Sequence, residues 1–314
     1  MRSYLISGGV GFIGSHLAKI LSRSGHKVTV VDNLFSGSLK NIISLKGVNN
    51  FSFYKEDVTN FNKIASICKR EQPEIFICCA TSGSTRSLIF PEWCYLQEVK
   101  IVRAACQLAR ERYFKRLIYL STAEVYGRAE NYPLDENTSL NPISTHAAAK
   151  VASEILIQSY INLYGIDTLI LRLFNVFGPN QSSYPYSAIV PSIINKITKG
   201  SSVEIFGKGD QTRDFSYVED VAKIIIRFSM MNKVQLKYLI CSGREMPILD
   251  LLEFIKEVFK EFKVSNKINI LFKKERISEV HRSFGRCNWD FPDFKKTNFN
   301  LALKKTLGYY LKEA

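Results

Sequence analysis

The chain has 314 residues, 46% of them hydrophobic and 23% charged, the make-up of a soluble globular protein with core enough for one large α/β unit or two lobes. No apolar run approaches a membrane span, and the opening residues enter a strand and a glycine loop with no room for a signal peptide, so a cytoplasmic protein is expected. The net charge of +14 comes from dispersed lysines, with mild clusters at 260–274 and Lys295-Lys296 but no arginine-rich tract and no basic strip interleaved with aromatics; this argues against nucleic acid as a partner and leaves a field that would assist a polyanionic small ligand.

Residues 3–7 read as a strand and 14–24 as a helix with apolar residues at helical spacing. Strands follow at 27–32, 51–55 and 75–80, then a long helix at 93–112, a strand at 116–121, a helix at 147–164 and a strand at 168–172. This alternation predicts an α/β fold, a Rossmann-type doubly wound parallel sheet with helices on both faces. From 174 to about 213 the chain is rich in Pro, Gly, Ser and Tyr and is expected to be irregular. A helix at 220–231 and a strand at 238–241 follow, and the tail from 248 holds two more helical stretches around a Lys/Glu-rich segment. The expected organisation is one domain at 1–173, to which 214–242 returns, and a smaller, largely C-terminal lobe from 174–213 and 243–314. The seven cysteines include no CxxC pair, and Cys78-Cys79 lie in an apolar run; they read as reduced packing residues. His16, His26, His146 and His281 are too scattered to suggest a metal site.

Gly8, Gly11 and Gly14 follow the first strand and open the first helix, with Phe12 and Ile13 between them. Glycines at these positions allow a tight turn, close approach to a pyrophosphate and close helix–sheet packing, while the helix N-terminus offers free N–H groups. Asp32 stands at the end of the second strand, eighteen residues after Gly14. A carboxylate there accepts both ribose hydroxyls and repels a 2′-phosphate, which favours NAD. Asn33 follows it, and Asp57-Val58 after the third strand offer an adenine contact.

Five segments in order carry a wider resemblance. They are GGVGFIGSH (8–16) with VVDNLFSG (30–37), ATSGSTRS (80–87) followed by Pro91, STAEVYG (121–127), LRLFNVFGP (171–179), and IFGKGDQTRDF (205–215) running on to Asp220-Val221. The chain resembles the extended short-chain dehydrogenase/reductases, specifically the NAD-dependent nucleotide-sugar epimerases and dehydratases. The resemblance implies that NAD+ takes a hydride from C4 of a hexose while a Tyr takes the 4-hydroxyl proton. A Lys four residues on lowers the Tyr pKa and holds the nicotinamide ribose, and a Ser/Thr completes the relay. It thereby implies Thr122 as the hydroxyl and Lys150 as the lysine, Ser82 and Arg86 in the segment facing the sugar, and Asn175 and Arg213 on the diphosphate. Arg276 or Arg282 would be the late phosphate-binding arginine, a role suited to a bidentate fork. The implied partner is a nucleoside diphosphate sugar, and the implied assembly is a homodimer through the helices at 93–112 and 147–164.

The resemblance breaks at its centre. His146 stands where the Tyr of Pro-x-Ser-x-Tyr-x-x-x-Lys is expected, four residues before Lys150. Imidazole is a competent base near neutral pH, but it is shorter than a phenol, and Lys150 would push its pKa down. Three readings stay open: a natural substitute base, a chain whose sugar chemistry is weakened or lost, and a replacement introduced to trap ligand. Glu124 is retained where dehydratases keep the carboxylate that removes the C5 proton, with Ala123 before it; a strand-end carboxylate bonded to backbone is the competing reading. The expected outcome is a 4,6-dehydratase or 4-epimerase, with a silent nucleotide-sugar binder as the alternative. A 4-ketosugar reductase, which usually prefers NADPH, is the third option and is disfavoured by Asp32. Glu98 replaces a structural asparagine and is expected to affect packing more than chemistry. Tyr184 and Tyr186 either border the ligand or belong to a surface loop, and Trp93 and Trp289 read as core or interface residues.

Overall fold

Short, nearly all-apolar strands separated by helices demand a sheet covered on both faces, and the fold meets that demand. A computed structural model of the chain describes residues 1–182, 188–232, 235–264, 268–275 and 279–313. In chain order the first part is β1 (Ser3–Ser7), α1 (Phe12–Arg23), β2 (Lys27–Asp32), β3 (Phe51–Lys55), α2 (Phe61–Glu71), β4 (Ile75–Cys78), α3 (Ser84–Ser87), α4 (Pro91–Arg110), β5 (Arg116–Thr122), α5 (Thr145–Tyr164) and β6 (Asp167–Leu173). The second part is β7 (Asn175–Phe177), α6 (Ile189–Thr198), β8 (Val203–Phe206), β9 (Thr212–Arg213), β10 (Phe215–Tyr217), α7 (Val218–Met230), β11 (Lys237–Ile240), β12 (Met246–Pro247), α8 (Ile248–Glu261), β13 (Ile270–Lys273) and α9 (Phe299–Glu313).

Seven strands form one sheet in the order β11-β6-β5-β4-β1-β2-β3, and every pairing in it is parallel. This is the Rossmann-type α/β arrangement. The chain order reverses between β1 and β4, so the loops leaving these strands diverge and open a crevice at their C-terminal ends. Side chains alternate between the faces with a period of two. Ile6, Val30, Ile77 and Leu171 pack with Leu17 of α1 and Val221 of α7, while Leu5, Val31, Phe76 and Leu117 pack with Ile64 of α2, Val102 of α4 and Ile157 of α5.

A third apolar cluster lies away from the sheet, built by α6, α8, α9 and the strands between them. Here the structure departs from the irregular stretch expected after residue 174. The helix α6 buries Val190, Ile193, Ile194 and Ile197, a helical spacing obscured in the sequence by the Pro/Ser/Tyr run just before it. Short pairs β7–β10, β8–β13 and β9–β12 tie this region together. Trp289 meets its expectation as a core residue, packing on Phe228 and Phe291 and donating Nε1–H to Leu239 O at 2.7 Å. Among the described residues no helix is long and apolar enough to cross a membrane.

One buried polar network fixes α5 to the sheet. Arg172 of β6, 1% exposed, donates from Nη2 to Glu154 Oε2 at 2.6 Å, from Nε to Oε1 at 3.0 Å and from Nη1 to the Tyr126 hydroxyl at 2.8 Å. Ser121 Oγ donates to the same Glu154 Oε1 at 2.6 Å. Removing one member of such a pair strands the other charge in the core. The substitution Glu154→Ala should therefore lower the unfolding free energy by about 3–5 kcal/mol in urea titrations. The double replacement Glu154→Leu with Arg172→Met should cost clearly less than that single change.

Candidate functional site

The loop leaving β1 forms the floor of a cleft of about 800 Å³ lined by Gly8, Gly11 to Gly14, Asp32, Asn33, Asp57, Val58, and the 79–86 segment. The glycines are required by space. A Cβ on Gly14 would stand 2.3 Å from Gly8 O, and one on Gly8, whose φ is +67°, would stand 2.7 Å from Ala80 N. The first turn of α1 has no side-chain cap, so its leading N–H groups are left for an anion. Asp32 is turned into this loop, accepting from Val10 N–H at 3.2 Å and Leu34 N–H at 2.8 Å. Burial raises its carboxyl despite those two bonds. Asn33 Nδ2 donates to Asp57 Oδ2 at 2.8 Å. Burial would raise the Asp57 carboxyl, but bonds from Thr59 and Asn33 outweigh it and hold it below the ordinary value. An uncapped helix start, a bare glycine loop and an acid at the end of β2 together suit a dinucleotide with unmodified ribose hydroxyls.

The second group of candidates gathers where β5 ends and α5 begins. Thr122 caps the turn that follows, its Oγ1 accepting from Glu124 N–H at 3.2 Å. The Glu124 carboxylate is reached by Ser84 Oγ at 2.9 Å, a bond that joins this edge to the cleft. Ser144 caps α5 by accepting from Ala147 N–H. His146 and Lys150 are then one turn apart on the same face of α5, and both are buried. His146 Nδ1 has no hydrogen-bond partner. Burial lowers the His146 pKa; Glu124 opposes that shift, Lys150 adds to it and Glu98 opposes it. The imidazole is therefore neutral at pH 7.

Glu98, expected to affect packing near the sheet, is packed there and is also ion-paired with Lys150. It is 0% exposed, and its Oε1 lies 2.7 Å from Lys150 Nζ. Lys150 also donates to Leu120 O at 2.8 Å and packs over the Tyr119 ring. The other oxygen, Oε2, accepts from Thr81 Oγ1 at 2.9 Å and Ser82 N–H at 3.1 Å, with Ser82 Oγ at 3.3 Å. Burial would raise the Glu98 carboxyl, but the charge of Lys150, the His146 ring and the hydrogen bonds from Lys150 and Ser82 together outweigh it and hold the group below its usual value. Glu98 thus holds the lysine and the cleft-lining segment 81–82 at once. An acid on the buried face of α4, at helical spacing from Cys94, Val102 and Ala105, was the signal available in the sequence.

The remaining candidates lie toward the third cluster. Asn175 begins β7, beside Asp214. Arg213 of β9 donates to Thr212 O and Val280 O and is ion-paired with Glu279. Arg282 forms a two-pronged pair with Glu245 at 2.8 and 2.9 Å, and Thr212 Oγ1 donates to the same Glu245 at 2.7 Å. Both arginines therefore meet around β9 with carboxylates already on them. Arg276, Tyr184 and Tyr186 lie outside the described residues. Arg86 donates to Ser82 O and sits over the Phe35 ring, 4.4 Å from its centroid. Phe35 in turn tilts against Trp93 at 5.2 Å. Trp93 is 39% exposed and lines the cleft, so of its two expected places, core or interface, the core is excluded. The segment after β7 reaches back to α1, with His16 Nε2 at 2.9 Å from Pro179 O and Asn180 donating to Ser15 Oγ at 3.0 Å.

Comparison with known proteins agrees with this geometry. The model of the NAD dependent epimerase/dehydratase family matches residues 4–240. A UDP-glucose 4-epimerase of Mycolicibacterium smegmatis is 32% identical over 225 residues, 71% of this chain and 72% of that protein. A trifunctional UDP-glucose 4,6-dehydratase/UDP-4-keto-6-deoxy-D-glucose 3,5-epimerase/UDP-4-keto-L-rhamnose-reductase of Arabidopsis thaliana is 26% identical over 322 residues, 98% of this chain and 47% of that protein. Among solved structures, the UDP-glucose 4-epimerase of Thermotoga maritima with UDP-glucose superposes with a TM-score of 0.88 at 26% identity, covering 99% of both chains. The glycine cleft, the seven-stranded sheet and these matches lead to one conclusion: the chain belongs to the NAD dependent epimerase/dehydratase family, and its cofactor is NAD.

Proposed function

We propose that the protein modifies a nucleoside diphosphate sugar through transient oxidation at C4, with His146 as the base. The observation that carries this reading is the buried imidazole with an unpartnered Nδ1, neutral at pH 7 and one turn from Lys150. NAD+, when bound, supplies the oxidant that takes the C4 hydrogen with its electron pair. His146 accepts the proton of the 4-hydroxyl as the carbonyl forms, and Thr122 supplies a hydroxyl at the same strand end. Lys150 keeps one of its three N–H donors for the nicotinamide ribose, the other two being taken by Glu98 and Leu120 O. Asp32 receives the adenosine ribose. Asn175, Arg213 and either Arg282 or Arg276 bind the diphosphate, with the carboxylates of Glu279 and Glu245 holding the Arg213 and Arg282 side chains in place. Ser82 and Arg86 border the sugar.

Glu124 favours the dehydratase branch. Its carboxylate is exposed and held from the side by Ser84, which leaves an oxygen for the C5 proton of a 4-keto sugar. The epimerase branch needs no such acid. A second reading, a nucleotide-sugar binder without turnover, is favoured by histidine standing at position 146 where the pattern Pro-x-Ser-x-Tyr-x-x-x-Lys has tyrosine. Dimerisation through α4 and α5 fits the exposed Leu96, Ile155 and Leu163 on these two packed helices. A cytoplasmic location fits the seven free thiols.

The protein, with NAD added, should convert one member of a panel of nucleotide sugars in heavy water. Loss of one water with deuterium gained near C5 or C6, read by mass spectrometry and proton NMR, identifies dehydration. A C4-inverted product of unchanged carbon-bound hydrogen content identifies epimerisation. No conversion of any sugar, together with turnover by the His146→Tyr variant, establishes the silent binder.

If His146 is the base, activity falls on the acid side as its ring takes up a proton. Because its pKa is lowered, that limb should lie below the ordinary histidine value of about 6.5. His146→Phe should reduce kcat by roughly 100- to 10,000-fold, and a pH–rate profile of the wild-type protein should show the low acid limb.

A further inference from the structure

A phenol and an imidazole ask opposite things of a neighbouring lysine. A phenol acts as a base only after becoming an anion, so an adjacent ammonium promotes it. An imidazole is neutral when ready and becomes a cation on accepting its proton, so the same ammonium opposes it. A site with histidine in the basic position and an uncompensated lysine one turn away would work against itself.

The structure contains the compensation. The Glu98 carboxylate is wholly buried and lies 2.7 Å from Lys150 Nζ. It cannot swing away, because its second oxygen is bound by Thr81 and Ser82. The lysine is fixed in turn by Leu120 O. We propose that Glu98 is a positioning residue of the reaction: a buried carboxylate that neutralises Lys150, so that the imidazole of His146 can take the proton a phenol would otherwise take. This rests on the reading of His146 as the base. The proton leaves the 4-hydroxyl oxygen for a ring nitrogen, and the imidazolium so formed has two acids around it, Glu98 from α4 and Glu124 from the turn after β5.

Glu124, from the turn after β5, also favours the cation of the ring, and more strongly than Glu98 does, but the contact with Lys150 is made by Glu98; the remaining groups packed on α5 do not supply this charge. Glu154, one turn beyond Lys150, is consumed by Arg172 of β6. From β5 comes the Tyr119 hydroxyl, 3.4 Å from Glu98 Oε1. From α3 comes Arg86, directed over Phe35. Burial lowers the His146 pKa most; of the charges, Glu124 favours its cation most, Lys150 opposes it, and Glu98 favours it and so offsets part of the Lys150 effect.

The test is a titration of the His146 ring by NMR in the full chain without sugar, assigned by loss of its signal in a His146→Phe variant. In Glu98→Gln the amide can still accept the bonds from Thr81 and Ser82, but the negative charge is gone. The His146 midpoint should fall by roughly one pH unit relative to wild type, and Glu98→Asn should move it the same way. If both folded variants titrate with the wild-type midpoint, Glu98 is a packing residue and the proposal fails. Should Glu98→Gln not fold, Glu98→Asn alone decides. Because the midpoint is read without turnover, its outcome is separate from that of the sugar panel: a shifted midpoint with no product leaves Glu98 as the charge partner and overturns only the catalytic reading.

Discussion

A stripe of polar groups is buried on α5 where an apolar stripe would ordinarily face the sheet. His146, Lys150 and Glu154 recur every four residues and are each about 5% exposed. Each charge in this stripe is desolvated at a cost of several kcal/mol, which only close partners and further hydrogen bonds can offset. The partners come from different elements: Glu98 from α4 and Arg172 from β6. The requirement to satisfy them fixes how α4, α5 and the middle of the sheet sit together. A site built on such elements is held more closely than one carried by loops.

That stripe also explains how the two ends of the site are joined. Glu98 takes Lys150 with one oxygen and the 81–82 segment with the other, so the end of β4 and the face of α5 share a single side chain. Ser84 continues the connection to Glu124. On the far side of the cleft, His16 and Ser15 of α1 hold Pro179 and Asn180. The glycine loop is thereby linked to the segment that leads into the smaller cluster.

The sheet was legible in the sequence because its strands are short apolar runs between helices, a pattern that needs no knowledge of distant contacts. The glycine loop and Asp32 were legible for the same reason, since their chemistry is local. What escaped was non-local. Glu98 looked like a packing substitution because its partner lies fifty-two residues on, and a charge on a buried helix face has no meaning until that partner is known. The carboxylates on Arg213 and Arg282 are remote in the same way, at Glu279 and Glu245. For Trp93 the sequence left core and interface open because an aromatic at the start of a helix looks the same in either place. The helix α6 was hidden by the composition just before it, not by its own residues.

The sheet is finished late. The strand β11, at Lys237–Ile240, pairs with β6 in the register Lys237↔Ile170 to Ile240↔Leu173, after the chain has passed through β7 to α7. Until residue 240 has been made, the edge of β6 offers open backbone donors and acceptors to any strand it meets. Closing that edge also requires a long loop to be shut first, which slows formation of the contact. During synthesis, and in any product truncated before β11, this protein therefore carries an open sheet edge exposed to aggregation at β6, on the strand that supplies Arg172.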